Sequence, residues 1–318
     1  GDSGGEGARG RSPASPKAAG AAKAGGGGDD ARAAAASAIK PMQRVYVVDG
    51  PSTERPPPQG TLSTLVAVPT LLLFGLSGHL ATFILPVLAL YFRTRLWIGL
   101  CVGLWLTVLL PAKRHWDAFL EGYVMRTWRE YFQFSFVCME KPDVSRRIVF
   151  GESPHGVFPL GPVLAGTVVP SCFPGMTVQA ISAGNVFRVP LLKHFMTWLG
   201  AAPATRENFL RLLEKDCVAV VIGGLAEMYM QEPDRERLKL QSRRGFVEVA
   251  LQSGADLVPI YHFGNTKIMS ILGKALMGIS RKLRMSFLVP YGRWGLPMPR
   301  RVPIMMAIGK RIEVKRMS

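Results

Sequence analysis

From Thr61 to Phe92 the chain runs 32 residues without a charge. No other feature constrains the fold as much. As a helix at 1.5 Å per residue, this run is long enough to cross the ~30 Å hydrocarbon core of a bilayer, even with Pro69, Pro86 and His79 inside it. Arg93 and Arg95 interrupt it. A second apolar run, Leu96 to Leu110, is short for a span and is stopped by Pro111, Lys113 and Arg114. The two runs predict a helical hairpin over 61–112 that either crosses the membrane or enters and leaves one leaflet. The alternative is a pair of buried helices in a soluble domain. His79 reads as a tolerated polar residue rather than a ligand.

The flanks differ in kind. Residues 1–60 are rich in Ala, Gly, Ser and Pro, with low-complexity runs at Gly25–Gly28 and Ala33–Ala36 and a stiff Pro56-Pro57-Pro58. Such a segment buries too little apolar surface to offset its ordering entropy, so a disordered tail is expected there. It shows no signal-peptide pattern, and without an initiator Met the sequence reads as a fragment or a processed product. Over 113–145 an interfacial amphipathic helix is expected, because aromatics recur among Arg and Glu from His115 to Phe136: Trp116, Phe119, Tyr123, Trp128, Tyr131 and Phe132. A core-packed helix is the alternative. From residue 146 to 318, β-rich runs at Ile148–Phe150, Met176–Ile181, Val218–Ile222, Leu257–Phe263 and Val302–Ile308 alternate with helical patterns at Val189–Leu199, Glu207–Lys215, Phe246–Ser253 and Ile268–Ile279. That alternation specifies an α/β domain around a central sheet.

Charge and cysteine usage narrow the partners. The net charge is +17, and the first 60 residues hold eight Lys/Arg against six Asp/Glu, so about +15 lies beyond them. From Arg281 to Ser318 there are ten Lys/Arg against Glu313 alone. Such a balance suits a polyanionic partner. No nucleic-acid motif is present, and the apolar content points to a membrane surface instead. Cys101, Cys138, Cys172 and Cys217 are scattered, which fits reduced thiols in a cytosol-facing protein. Neither a metal-ligand spacing nor a cofactor motif is evident. Oligomeric state has no signature here.

The chemistry gathers at strand ends. After Arg147-Ile148-Val149-Phe150, the turn Gly151-Glu152-Ser153-Pro154-His155-Gly156 presents one imidazole, the side chain best suited to take and return a proton near neutrality. Four further segments set Gly beside polar groups: Leu199-Gly200-Ala201-Ala202-Pro203-Ala204-Thr205-Arg206, Ile222-Gly223-Gly224-Leu225-Ala226-Glu227, Arg243-Arg244-Gly245-Phe246, and Val258-Pro259-Ile260-Tyr261-His262-Phe263-Gly264-Asn265. In this order, together with the hairpin, Gly254-Ala255-Asp256 and Gly292-Arg293-Trp294-Gly295, the chain resembles the type-2 diacylglycerol acyltransferases. That family includes monoacylglycerol and wax-alcohol acyltransferases and is distantly related to the glycerol-phosphate acyltransferases.

The likeness runs from about Leu62 to Val314, with three departures. Where the family has His or Glu before the Pro-His pair, this chain has Ser153, preceded by Glu152. Where the wider superfamily places an Asp to orient the His, it has Leu160, so the orienting acceptor must be another group, a backbone carbonyl or water. Gly309-Lys310-Arg311-Ile312 stands for the family's last strand, and the helix that usually follows is expected to be missing.

The resemblance implies a glycerol-phosphate-acyltransferase-like sheet with flanking helices behind the membrane hairpin. It also implies acyl-CoA-dependent O-acyl transfer with acyl-CoA as co-substrate and no cofactor, at the endoplasmic reticulum membrane with the domain facing the cytosol, and lipid droplets as a further location. Diacylglycerol is the preferred acceptor; monoacylglycerol, alcohols or lysophospholipids, or an inactive lipid-binding relative, are the alternatives. Within that frame His155 is the base, and Glu227 orients it or binds glycerol hydroxyls. Amides near Gly156, Gly223 and Gly224 meet the oxyanion. Arg206, Arg243 and Arg244 grip coenzyme A phosphates. Glu152, His262 and Asn265 are acceptor-site candidates, with a structural role the alternative for His262. With no Gly-x-Ser-x-Gly nucleophile, direct transfer is expected.

Overall fold

The computed structural model describes residues 60–143, 145–232, 235–273, 275, 277–283 and 289–317, together with the backbone of 43–47 and 51–52. The β-rich runs form a sheet in the order β2-β1-β3-β11-β8-β4-β7-β5-β6. Its middle is β4 (Ile148–Ser153), flanked in parallel by β7 (Cys217–Val221) and β8 (Asp256–Phe263). β5 (Val178–Ser182) and β6 (Ala202–Pro203) continue the parallel side. On the other side β11 (Met305–Ile308) runs antiparallel to β8 and parallel to β3 (Ser135–Cys138). All six residues of β4 are buried, as expected of a central parallel strand covered on both faces. The expected mixed α/β class is therefore observed.

Three sequence expectations change. Within the 1–60 segment, whose composition predicts disorder, β1 (Gln43–Val47) pairs antiparallel with β3, and β2 (Pro51–Ser52) pairs with β1. Val45-Tyr46-Val47 is a β-branched and aromatic run that extends the sheet, and segment-wide composition hides it. Apart from Gly60, the rest of that segment lies outside the described residues. The single amphipathic helix over 115–136 is instead α4 (Asp117–Leu120) and α5 (Tyr123–Tyr131), broken at Gly122, followed by β3. Trp128, Tyr131 and Phe132 are fully buried, so this aromatic stripe serves the core. The helix over Ile268–Ile279 is instead strand β9 (Ser270–Leu272) followed by helix α12 (Met277–Leu283), because Ile271 packs in a ribbon with Pro290 of β10 (Val289–Tyr291).

The apolar run forms α1 (Thr61–His79), a π-helical turn at Leu80–Ile84 and α2 (Leu85–Phe92). Helix α3 (Arg95–Leu106) returns beside it, and the Trp105 indole donates to the Ala81 carbonyl at 3.1 Å. The two halves behave differently. Helix α1 buries Ser63, Ala67 and Leu71, spaced by four, against the domain. Trp128 of α5 donates to Thr70 at 2.8 Å, and Phe74 packs at a tilt against Trp128 and Phe195 of α8 (Leu192–Trp198). Neither α2 nor α3 buries any residue.

At the opposite, N-terminal edge of the parallel strands, Asp256 is fully buried. It accepts from Arg146 at 3.0 and 3.1 Å, from Arg311 at 3.3 Å and from the Val314 amide at 3.1 Å, which fastens the chain end to the sheet. Burial alone would raise this carboxyl. The hydrogen bonds from Arg146 and Val314 and the charges of Arg146 and Arg311 outweigh it and hold the pKa below its ordinary 3.8. A carboxyl lowered on folding adds stability above its unfolded pKa, and that contribution is lost as pH falls through the folded value. Asp256→Asn is therefore expected to cost about 1–3 kcal/mol at pH 7, with the gap to the parent narrowing below about pH 4. Thermal unfolding in mild detergent at pH 7 and pH 3.5 measures it, and a gap unchanged with pH would contradict it.

Candidate active site

The parallel strands β4, β5, β7 and β8 all end at one edge of the sheet, where backbone amides and loop side chains converge; ligands of open α/β sheets bind at such an edge. β4 ends at Ser153, and a cis Ser153–Pro154 bond leads into His155. Asn265, just past β8, holds this turn from one side. Its amide nitrogen donates to the carbonyls of Pro154 and His155 at 3.1 Å each, and its oxygen accepts from the Gly161 amide at 2.9 Å. Gly156 has φ 63°, and a Cβ there would lie 2.7 Å from that same amide nitrogen, so only glycine fits the grip.

Glu227, on α10 (Leu225–Met230), holds the turn from the other side. It is 1% exposed, and its two oxygens accept from the amides of His155 at 2.6 Å and Lys239 at 3.0 Å. The carboxylate thus grips main chain. It positions His155 through the backbone amide rather than through the ring.

The ring is oriented from within its own turn. His155 Nδ1 lies 2.9 Å from the Gly156 carbonyl oxygen. A carbonyl only accepts, so Nδ1 carries the proton and Nε2 keeps its lone pair. This carbonyl fills the part left open by Leu160, which is buried in helix α6 (Leu160–Gly166), ahead of the short α7 (Val169–Cys172). Burial pushes the His155 pKa below its ordinary 6.5, against the opposing pull of the Gly156 hydrogen bond and the Glu227 charge. The imidazole is therefore neutral at pH 7, as a base must be.

Glu152 and His262 pair with each other behind the turn. Both are buried, with Glu152 Oε2 2.8 Å from His262 Nε2. The His262 ring packs under α6, where a Cβ on Gly161 would come within 2.8 Å of it. With Asn265 saturated as well, these three acceptor-site candidates form the scaffold beneath His155, a correction to that expectation.

The phosphate-binding candidates separate. Arg243 donates to the Gly223 carbonyl at 3.0 Å and lines an open cleft of about 760 Å³. Leu225, Ala226 and Met230 of α10 form one wall of that cleft, and Lys239 and Met277 also line it. Arg206 instead bonds Gln252 of α11 (Gly245–Ser253) at 2.7 Å, and Arg244 is exposed at the start of α11; neither lines the cleft. Lys239 was not foreseen. Its segment, Arg235-Glu236-Arg237-Leu238-Lys239, is densely charged, but no periodicity singles out one side chain. Tyr261 of β8 donates to Glu236 of this segment, and Thr266 does so at 2.7 Å, so the loop is strapped across the site.

A family model described as diacylglycerol acyltransferase matches residues 88–318. The chain is 34% identical over 153 residues to Diacylglycerol O-acyltransferase 2 of Homo sapiens, covering 46% of this chain and 39% of that protein. It is 30% identical over 188 residues to Diacylglycerol O-acyltransferase 1 of Saccharomyces cerevisiae, covering 53% and 45%. It thus spans less than half the length of either relative. Among solved structures, the 1-acyl-sn-glycerophosphate acyltransferase PlsC of Thermotoga maritima aligns over 79% of this chain and 86% of its own, with a TM-score of 0.38 and 12% identity.

Proposed function

The chain belongs to the diacylglycerol acyltransferase family, and from that premise we propose that it transfers a fatty acyl group from acyl-CoA to the free hydroxyl of diacylglycerol. The observation that carries this reading is the state of His155, with Nδ1 tied to the Gly156 carbonyl and a pKa lowered by burial. Nε2 takes the hydroxyl proton as the alcohol oxygen attacks the thioester carbon. The new C–O bond forms, the C–S bond breaks, and the proton passes from Nε2 to the departing thiolate of coenzyme A. Amides around Gly156, Gly223 and Gly224 are the donors for the oxyanion, each worth ~3 kcal/mol in such sites. The cleft takes the carrier and chain, with Arg243 and Lys239 as its cations beside the apolar wall of α10.

Monoacylglycerol and long-chain alcohols present the same hydroxyl. Membranes containing the protein, given labelled acyl-CoA and each acceptor in turn, are expected to place most label in triacylglycerol. Label chiefly in diacylglycerol or wax ester would move the reading to those acceptors, and no lipid product would overturn it. Arg243→Ala is expected to raise KM for acyl-CoA by about 10- to 100-fold, as loss of a charge-assisted contact of about 1.5–3 kcal/mol implies. Arg206→Ala and Arg244→Ala should change it less than about twofold. Equal effects from all three would contradict the assignment to Arg243.

Reaction with diacylglycerol requires a membrane, and the hairpin supplies the anchor. Helix α1 buries one face against the domain and leaves Leu62, Leu65 and Leu73 exposed on the others, so the first leg is long enough for lipid, but the return helix α3 gives only about 18 Å of helical rise, short of the ~30 Å core. On this reading the hairpin enters and leaves the cytosolic leaflet of the endoplasmic reticulum. A glycosylation acceptor inserted at Thr94 is expected to stay unmodified, while tags at both chain ends are digested in intact microsomes. Glycosylation at Thr94 would show instead that the hairpin crosses.

A further inference from the structure

Between Asp256 and Glu313 the chain holds ten Lys/Arg and no acidic residue. Within this interval the excursion of β9, α12, β10 and the turn at Arg293–Gly295 exposes apolar side chains to solvent. Leu272 and Val289 stand opposite one another in the ribbon, 57% and 59% exposed, while their neighbours Ile271 and Pro290 are buried on the other face. Ile279 of α12 and Leu296 beyond the turn are each 54% exposed. At the turn, Trp294 is 73% exposed and has φ 57°, a conformation that bulky side chains rarely adopt. Hydrogen bonds from Gly292 to the Leu296 carbonyl at 2.7 Å and from Arg293 to the Met298 carbonyl at 2.8 Å lock it there. The Arg293 guanidinium lies 4.1 Å from the Trp294 ring centroid. The fold thus holds a tryptophan outward beside a cation, and exposes aliphatic side chains on the ribbon, on α12 and just beyond the turn.

We propose that this excursion is a second bilayer-contact surface, separate from the hairpin. Its aliphatic side chains and Trp294 enter the headgroup–acyl boundary, and its cations meet anionic headgroups. Tryptophan, aliphatic and basic residues together are the composition of interfacial anchors. A soluble protein partner would be expected to face some acidic balance among these cations, and the interval has none. The surface also joins both features that need lipid. Met277, at the start of α12, lines the cleft. Tyr131 donates to Pro299, just past the turn, at 2.8 Å, and it sits on α5, one turn from the Trp128 that holds the hairpin. Contact here would seat the cleft mouth against the leaflet that holds the acceptor. The proposal rests on the membrane reading for the protein's location and is independent of the acyl-transfer chemistry.

The test uses the full chain reconstituted in vesicles, with Cys101, Cys138, Cys172 and Cys217 replaced by Ser. An environment-sensitive fluorophore is placed on a single cysteine at Leu296→Cys, at Leu90→Cys in the hairpin, or at Glu207→Cys on the exposed start of helix α9 (Arg206–Leu213). Brominated phospholipid is expected to quench the labels at 90 and 296 and leave that at 207 unaffected. Quenching at 296 should fall by about threefold or more when phosphatidylserine is replaced by phosphatidylcholine. A label at 296 that stays in water while the one at 90 is quenched overturns the proposal and leaves the membrane reading intact. So does quenching at 296 that ignores anionic lipid. If neither label is quenched, the membrane reading fails with it. Should the cysteine-free chain not insert, lipid quenching of intrinsic fluorescence in the parent and in Trp294→Phe serves instead. A smaller quenched fraction in the variant is expected, and an identical fraction overturns the proposal.

Discussion

His155→Ala is expected to lower acyl transfer by about 10²–10⁴-fold, the usual worth of a positioned general base, while membrane association is retained. The side chain is half-buried, and the fold of its turn depends on main-chain contacts to Glu227 and Asn265 that alanine preserves. The loss should therefore appear in kcat rather than in yield or solubility. Residual activity above about a tenth of the parent would exclude the base role. The pH profile of the parent carries the same signature. The imidazole acts only when neutral, and burial holds its pKa below 6.5, so kcat/KM should decline on the acid side only below that value. A midpoint above 6.5 would contradict the orientation and burial described for the ring.

Glu227→Gln has the next largest expected effect. The carboxylate accepts from two amides, and a carboxamide can accept from one while turning an N–H toward the other. The His155 turn then shifts by a fraction of an ångström to relieve that contact. Misplacement of a base on that scale is expected to cost about 10–100-fold in kcat, with KM for both substrates changed less than about twofold. Glu227→Asp should not restore the rate, because a side chain one methylene shorter cannot reach both amides. If KM for the lipid acceptor rises while kcat holds, Glu227 touches the acceptor and the clamp is wrong.

Much of the fold was legible because its strands are β-branched runs bounded by turns, and that signal is local. Leu257–Phe263 and Val218–Ile222 fall within one residue of the observed strands. Boundaries failed where a partner distant in sequence decided the outcome: Ile271 becomes strand because Pro290 lies beside it, and Val45 because β3 offers a free edge. At the site, His155, Asn265, Glu227 and Arg243 were identifiable as residue types at strand ends. Their roles were less so. Glu227 and Asn265 act on backbone amides and carbonyls, and a sequence does not display which main-chain groups lie within reach. The pairing of Glu152 with His262 left no local trace because their mutual contact bridges 110 residues. Lys239 gave no usable signal, since loop side chains are placed by what the loop is tied to.

The central claim is that the acyl group passes directly from the thioester to a lipid hydroxyl deprotonated by His155. A single-turnover experiment tests it most directly, with enzyme in excess over labelled long-chain acyl-CoA, acid-quenched with and without diacylglycerol. Direct transfer predicts label in triacylglycerol only when diacylglycerol is present, loss of that product in His155→Ala, and no label bound to protein in either case. Label carried covalently on the protein in the absence of acceptor, and then chased into triacylglycerol, would contradict it.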